Sequence, residues 1–112
     1  MSSYIWSPNI DSILSVGNSL KGIGVNNWAL DKDIALNVLE KLGEIGIAIA
    51  GGDVYMKTTD GFDLSYDNWY CNRDSKESYS DFMKRSIAEA KSYINSYQSQ
   101  NKVAFAIVPA IE

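Results

Sequence analysis

The sequence predicts a single α+β domain in which helices cover a small antiparallel or mixed sheet of about four strands. Three observations support this fold: three segments with apolar residues at helical spacing, a central region rich in strand formers and turn signals, and a continuous apolar run near the end. The expected order of elements is ααβββαβ. A length of 112 residues with 46% hydrophobic content suits one core, so residues 1–112 are predicted to be one domain.

Two helices are predicted in the first half of the chain. Ser7 and Pro8 are typical of a helix start, because a serine oxygen can accept a free amide and proline lacks one. This first helix should run to about residues 21–22. The second should begin after Asp31 and end at residues 43–46. Its apolar stripe consists of Ile34, Ala35, Val38, Leu39, Leu42 and Ile45.

The middle of the chain is predicted to form two or three antiparallel strands. Residues 47–50 meet Gly51-Gly52 and are followed by β-favouring residues, a pattern that predicts a hairpin at the glycine pair. Asp60-Gly61 predicts a second tight turn, which leads into residues 62–66. Asp67-Asn68 should interrupt or bend the chain before a short strand at residues 69–71.

A long helix and a buried strand complete the prediction. Residues 75–97 carry apolar side chains alternately four and three positions apart, which indicates one amphipathic helix. Arg85 is placed to pair with Glu89 on its exposed side. Residues 103–108 are continuously apolar, as in a strand covered on both faces, and Pro109 should end that strand.

The composition argues against several kinds of chemistry. Histidine is absent, which removes the commonest general base and the commonest zinc ligand. The single cysteine, Cys71, excludes an intramolecular disulfide, and its setting favours packing over reactivity. No nucleotide-binding glycine motif is complete. We therefore predict a protein that is not an enzyme, with no catalytic residues, no cofactor and no metal site.

Charge and hydropathy indicate the compartment and the kind of partner. The N-terminus lacks the features of a signal peptide, and no stretch approaches the ~20 apolar residues of a membrane span. A cytoplasmic protein without membrane contact is expected. The net charge of −4 disfavours direct binding to nucleic acid, which requires a basic footprint, and suits a basic protein partner better.

Acidic and aromatic residues concentrate between Gly51 and Asp74, where aspartates outnumber the basic residues. Aromatic rings beside carboxylates suit a surface that binds a cationic partner. Some of these residues should instead pack inside the sheet or solvate turns, Tyr55 and Trp69 in particular. The predicted partner-binding residues are Asp53, Tyr55, Asp60, Phe62, Asp63, Tyr66, Asp67, Trp69 and Tyr70.

Three segments carry a family resemblance: Gly51-Gly52-Asp53-Val54-Tyr55, Asp67-Asn68-Trp69-Tyr70-Cys71, and the helical run from Lys84-Arg85-Ser86 to Tyr93-Ile94. Over residues 28–108 the chain resembles the immunity protein 40 family of bacterial polymorphic toxin systems. The resemblance implies a protein that neutralises a toxin delivered by neighbouring cells, by binding the toxic domain and blocking its active site without catalysis. A basic toxin such as a nuclease would suit an acidic partner.

Two other classes of function stay open at the level of sequence. A small-ligand or regulatory binding module would line a pocket with the aromatic rings and hold a cationic group with Asp53 or Asp67. An enzyme built on paired aspartates is disfavoured, but not excluded, by the missing histidine. A deep apolar pocket would favour the first class, and two facing carboxylates in one cleft would favour the second.

Overall fold

The first helix, α1, spans Pro8–Leu14 in a computed structural model that describes residues 4–111. The predicted start is confirmed: the Ser7 Oγ accepts a hydrogen bond from the Ile10 amide at 3.1 Å, and proline occupies the first turn. The predicted end is wrong, because the helix stops well before residues 21–22. A Cβ at Gly17 would clash with the Ala29 carbonyl, which shows how closely the chain passes a neighbouring strand there.

A small two-stranded sheet replaces the end of the predicted helix. It pairs β1, Asn18–Ser19, with β2, Trp28–Ala29, in antiparallel register, and a 3-10 turn at Lys21–Ile23 lies between them. Leu20, which the helical spacing had assigned to α1, is buried against the central sheet. Tertiary packing therefore overrides local helical periodicity in this segment.

The second helix, α2, spans Lys32–Glu44, as the sequence predicts. Asp31 occupies the N-cap position, but its carboxylate forms an ion pair with Lys57 in place of a capping bond. Gly46 lies just beyond the helix with φ of 77°, the left-handed conformation that glycine adopts at low cost. Two members of the predicted stripe, Ile34 and Ile45, are exposed, while the central ones are buried.

The expected hairpin at the glycine pair is wrong. Residues 49–58 form one strand, β3 (Ile49–Thr58), which continues through Gly51 and Gly52 without a turn. The glycines serve close approach instead: a Cβ at Gly52 would overlap the Trp69 ring, and a Cβ at Gly51 would overlap the Trp69 carbonyl. Lack of a side chain, not a need to turn, is what these positions require.

The turn predicted at Asp60-Gly61 is confirmed, and it joins β3 to β4, Gly61–Tyr70. The last strand, β5, spans Val103–Pro109, and the sheet order is β4-β3-β5 with antiparallel pairing throughout. Leu30 extends the layer by a bridge to Phe105. Residues 4–111 thus hold five strands in two sheets, compared with the predicted four in one, and the α+β class is confirmed.

The long helix, α3, spans Tyr79–Ser96 and begins later than predicted, because the Ser78 Oγ caps it by accepting from the Asp81 amide at 3.1 Å. Helices α2 and α3 pack on one face of the three-stranded sheet and form the main core with Val54, Phe105 and Ile107. The opposite face is covered by Leu20 and Ala29. Burial on both faces explains the continuous apolar run of β5.

Candidate functional site

The most irregular feature of the sheet is a bulge in β4. Asp53 pairs with Asn68 and Tyr55 pairs with Leu64, so that three residues of β4 lie opposite Val54 alone. The bend expected near Asp67-Asn68 therefore exists as a bulge inside a continuous strand. A bulge of this kind twists the strand and changes the direction of its side chains, and such irregularities are common next to functional sites.

Tyr66 lies at the centre of the bulge. Its φ of 68° makes it the one non-glycine residue with a positive φ between residues 4 and 111. Its side chain is 82% exposed, which is the highest value among the large hydrophobic residues described. For a bulky side chain the left-handed conformation is unfavourable, so surrounding contacts must hold it.

Three hydrogen bonds hold the bulge in place. The Ser65 Oγ donates to the Val54 carbonyl at 2.6 Å and accepts from the Asp67 amide at 3.1 Å. The Tyr97 hydroxyl of α3 donates to the Asp67 Oδ2 at 2.7 Å. This last bond, followed by burial, raises the pKa of Tyr97. The bulge is thus fixed to β3 on one side and to the long helix on the other.

Two of the nine predicted residues serve mainly in packing. Tyr55 is only 3% exposed and lies in the core cluster on the sheet face opposite the helices, so its ring cannot belong to an open surface. Trp69 stacks on Tyr93 with ring centroids 4.7 Å apart and covers the main core. Both observations follow the expectation that part of the aromatic set packs inside.

The remaining residues spread along the whole β3–β4 hairpin, a distance of about 30 Å for strands of ten residues. Phe62 pairs with Lys57 near the turn, whereas Tyr70 pairs with Gly51 at the far end. Asp53 lies near that far end, and partial burial raises its pKa. We define the hairpin surface as the group nearer the turn and the bulge: Asp60, Phe62, Asp63, Leu64, Tyr66 and Asp67.

Two neighbouring pockets extend the hairpin surface towards the 3-10 turn. Their volumes are about 390 and 450 Å³, and both are lined by Ile23, Phe62 and Asp63. Sequence reasoning missed Ile23 and Leu64, two exposed apolar residues. Strand alternation from Phe62 could have found Leu64. No local signal could have found Ile23, because only the tertiary fold brings the 3-10 turn to the hairpin.

Among the residues that the structure describes, the carboxylates of the hairpin surface lack cationic partners. No Lys or Arg occurs between Lys57 and Arg73 in the sequence. In the part of the chain that the structure describes, no ion pair includes Asp60, Asp63 or Asp67. Asp60 and Asp63 line one pocket but are exposed to solvent, unlike the buried carboxyl pairs whose pKa values enzymes tune.

A second acidic group lies at the other end of β4 and is fully paired. The Arg85 guanidinium contacts the Glu77 carboxylate at 2.8 Å and Glu89 Oε2 at 3.0 Å, so the predicted pairing of Arg85 with Glu89 is confirmed. The same guanidinium donates to the Asn72 carbonyl at 2.7 Å. We call Cys71, Glu77, Arg85 and Glu89 the arginine cluster. It ties the segment after β4 to α3.

Cys71 is a structural member of the arginine cluster. Its thiol donates to Glu89 Oε2 at 2.7 Å and accepts from Arg85 at 3.1 Å. Burial, together with the bond to Glu89, raises the pKa of the Cys71 thiol to about 11. A thiol that stays protonated at neutral pH is a poor nucleophile. Residues 4–111 also hold no group of three acidic or cysteine ligands arranged for a metal ion.

The family can be assigned at this point. The sequence model of the family described as Immunity protein 40 matches residues 19–109, which is more than four fifths of the chain. The chain belongs to the immunity protein 40 family. The matched region of this family member includes the complete hairpin, α2, α3 and β5, and leaves out α1. No curated protein and no solved structure matches the chain significantly.

The helices of this family member differ from membrane spans. Among those within residues 4–111, none combines the length and the apolar character that crossing a bilayer requires.

Proposed function

We propose that this family member binds a cognate bacterial toxin domain in the cytoplasm and blocks its active site with the hairpin surface, without catalysis. Family membership supports the class of partner. The observation that carries the choice of surface is the set of carboxylates on the hairpin that pair with no cation of residues 4–111, beside an exposed aromatic ring. Asp67 also holds the bulge through the Tyr97 hydroxyl, whereas the Asp60 and Asp63 carboxylates make no hydrogen bond or ion pair among the described residues, which leaves them for a partner.

The charge of the hairpin surface favours a basic toxin such as a nuclease. An active site that handles phosphates is lined by cations, and carboxylates can occupy the same positions. Complementary charge also steers diffusional encounter and raises the association rate, which is the quantity that matters when a toxin must be intercepted quickly. In this proposal the immunity protein contacts the toxin and not the nucleic acid.

The scaffold suits such a role because the hairpin is anchored in the core. Strand β3 is the central strand of the sheet, and its Val54 side chain lies in the main cluster. A surface built on rigid strands loses little conformational entropy on binding. Exposed aromatic residues at the middle of such a surface are typical binding hot spots.

The direct test is to express the toxin domain encoded immediately upstream and to ask whether this protein restores growth and co-purifies with it. We expect the wild-type chain to do both. The double variant Asp60→Lys/Asp63→Lys should lose rescue. Asp33→Lys/Glu44→Lys is the matched control, because it makes the same change of charge at exposed positions on α2. A folded wild-type protein that neither rescues nor co-purifies would refute the proposal.

A small-ligand binding module is the alternative that one observation favours. The two pockets beside Ile23 and Phe62 have volumes in the range of ligand sites. Their exposed, partly acidic lining fits a protein interface better than it fits a buried ligand. Binding of a small cationic compound to these pockets, together with failure to bind the toxin domain, would favour the module.

A further inference from the structure

We propose that Tyr66 is an anchor on a preformed backbone, whose ring enters a pocket of the toxin domain with Lys or Arg side chains at its rim. The inference rests on the proposed function and adds to it the residue that inserts and the chemistry of the pocket that receives it. Four observations carry it: the backbone strain at Tyr66, its exposure, the hydrogen bonds that hold the bulge, and the presence of Asp63 in the same pocket lining.

The strained backbone conformation of Tyr66 is not compensated by burial of its side chain. The ring is 82% exposed and belongs to none of the core clusters, yet the residue is held at φ of 68°. Glycine or asparagine would adopt this conformation more readily. A strained residue that the fold maintains without burying its side chain points to a use for that side chain outside the fold.

The hydrogen bonds at the bulge hold the backbone on both sides of Tyr66. Ser65 and Asp67, the residues on either side of Tyr66, are both bonded: Ser65 to the Val54 carbonyl, and Asp67 to Ser65 and to the Tyr97 hydroxyl. With both flanking residues fixed, the backbone of Tyr66 is ordered before any partner arrives. Such preorganisation reduces the entropy lost on binding and increases affinity without any added contact.

The bulge also favours insertion of a side chain over addition of a strand. β4 is an edge strand of the three-stranded sheet, and a regular edge could pair with a strand of another protein. Three residues lie opposite Val54, however, so the ladder is interrupted in the middle of β4. A straight strand could not follow this edge along its length. The proposal therefore has the partner contact the protruding side chain.

The surroundings of Tyr66 define the complementary pocket. Leu64, 47% exposed, lines the pocket beside Tyr66 and offers apolar contact, and the exposed residue Asp63 lines the same pocket. A matching pocket has an apolar floor for the ring and cations at its rim, which can pair with the Asp63 carboxylate and contact the ring face. That combination is the one we assign to the toxin domain.

The test compares stability with affinity in the same variants. Tyr66→Gly relieves the strained conformation, so the melting temperature should stay within about 2 °C or rise by a few degrees. Affinity for the toxin domain, measured by calorimetry, should fall about 30-fold or more, as for a hot-spot residue. Tyr66→Phe should bind within about 3-fold of wild type. Tyr70→Ala, another exposed tyrosine of β4 outside the bulge, should lose less than about 10-fold.

The salt dependence tests the charge of the pocket. Between about 0.05 and 0.5 M NaCl, the affinity lost by Asp63→Lys should shrink, because screening weakens exposed charge pairs. The affinity lost by Tyr66→Gly should persist, since ring insertion is mainly apolar. If the loss for Asp63→Lys is independent of salt, the cationic rim is refuted.

The outcomes distinguish failure of the Tyr66 anchor from failure of the proposed immunity function. If wild type neither binds nor neutralises the toxin, both proposals fall. If wild type binds and Tyr66→Gly binds within about 3-fold, the anchor is refuted and the immunity function stands. A melting temperature lowered by more than about 5 °C in Tyr66→Gly would show that the ring stabilises the fold, which contradicts the anchor. Wild-type dimers that Tyr66→Gly converts to monomers would identify a second copy as the occupant and overturn it.

Discussion

The two ends of β4 carry acidic groups in opposite situations. In the arginine cluster, both Glu77 and Glu89 contact the Arg85 guanidinium. On the hairpin surface, Asp60 and Asp63 have no cationic partner within the described residues. The difference teaches that acidity has two uses in this small protein. The paired carboxylates join the segment after β4 to α3, and our proposal assigns the unpaired ones to the toxin domain.

The largest effect should come from disturbing the close packing of β3 against β4 at Gly52 and Trp69, within the same hairpin as the hairpin surface. Gly52→Ala would place a Cβ inside the Trp69 ring and close to the Ala106 carbonyl, so β3 or the ring must shift. We expect the free energy of unfolding to fall by about 1–3 kcal/mol, as for overpacked core sites. Urea denaturation followed by tryptophan fluorescence measures the loss.

Gly22→Ala is the matched control for this substitution, because a Cβ at Gly22 would meet no atom within 4 Å and the φ of this residue is not in the left-handed range. It should change the free energy of unfolding by less than about 1 kcal/mol. If Gly52→Ala lowers the free energy of unfolding no more than the control does, the close approach of β4 to β3 is not the reason for glycine at this position.

The glycine pair also illustrates which parts of the fold could be predicted from the sequence and which could not. Local signals located α2, α3 and β5 and the turn at Asp60-Gly61, because caps, periodicity and turn chemistry lie in neighbouring residues. Gly51-Gly52 was misinterpreted as a turn, because the Trp69 that occupies the vacant space is distant in sequence. The predicted end of α1 was wrong for the same reason.

The candidate surface was predictable to a similar degree. The acidic and aromatic pattern identified Asp60, Phe62, Asp63 and Tyr66, whose exposure ranges from partial to high. Pattern alone could not reveal the positive φ of Tyr66, which depends on hydrogen bonds to β3 and α3. Nor could it distinguish unpaired carboxylates from those of the arginine cluster, because pairing is a property of the tertiary structure.

The next largest effect should come from removing the cation of the arginine cluster. Arg85→Gln removes the cation from Glu77 and Glu89, so the urea midpoint at pH 7 should fall while affinity for the toxin domain stays within about 2-fold. Arg85→Lys should restore part of the loss. A large drop in affinity with unchanged stability would place the arginine cluster in the interface and contradict the division of roles.

The stability lost in Arg85→Gln should depend on pH in a defined direction. The hydrogen bond from Arg85 lowers the pKa of Glu77 from 4.5 to about 2. Since the folded pKa lies below the unfolded one, the stabilisation is complete above pH 4.5 and is lost as pH falls towards 2. The gap in urea midpoint between wild type and Arg85→Gln should therefore narrow over this window. A gap that stays constant would show that the ion pair is not its cause.

The smallest effect concerns Cys71. Its thiol pKa is raised from 9.0 to about 11, so the folded state retains a proton that the unfolded state loses. The resulting stabilisation is complete below pH 9 and is lost as pH rises through 11. At pH 8, labelling by a thiol reagent should be much slower in the native protein than in urea. Equal rates in the two states would show that the thiol is neither buried nor held by Glu89.

The central claim is that the unpaired carboxylates of the hairpin surface meet the toxin domain. Stopped-flow association at low salt with Asp63→Lys and Glu44→Lys tests it most directly, because both exposed carboxylates change by the same charge. The account predicts an association rate lowered by about tenfold or more for Asp63→Lys and by less than about twofold for Glu44→Lys. Equal rates for the two variants would contradict it.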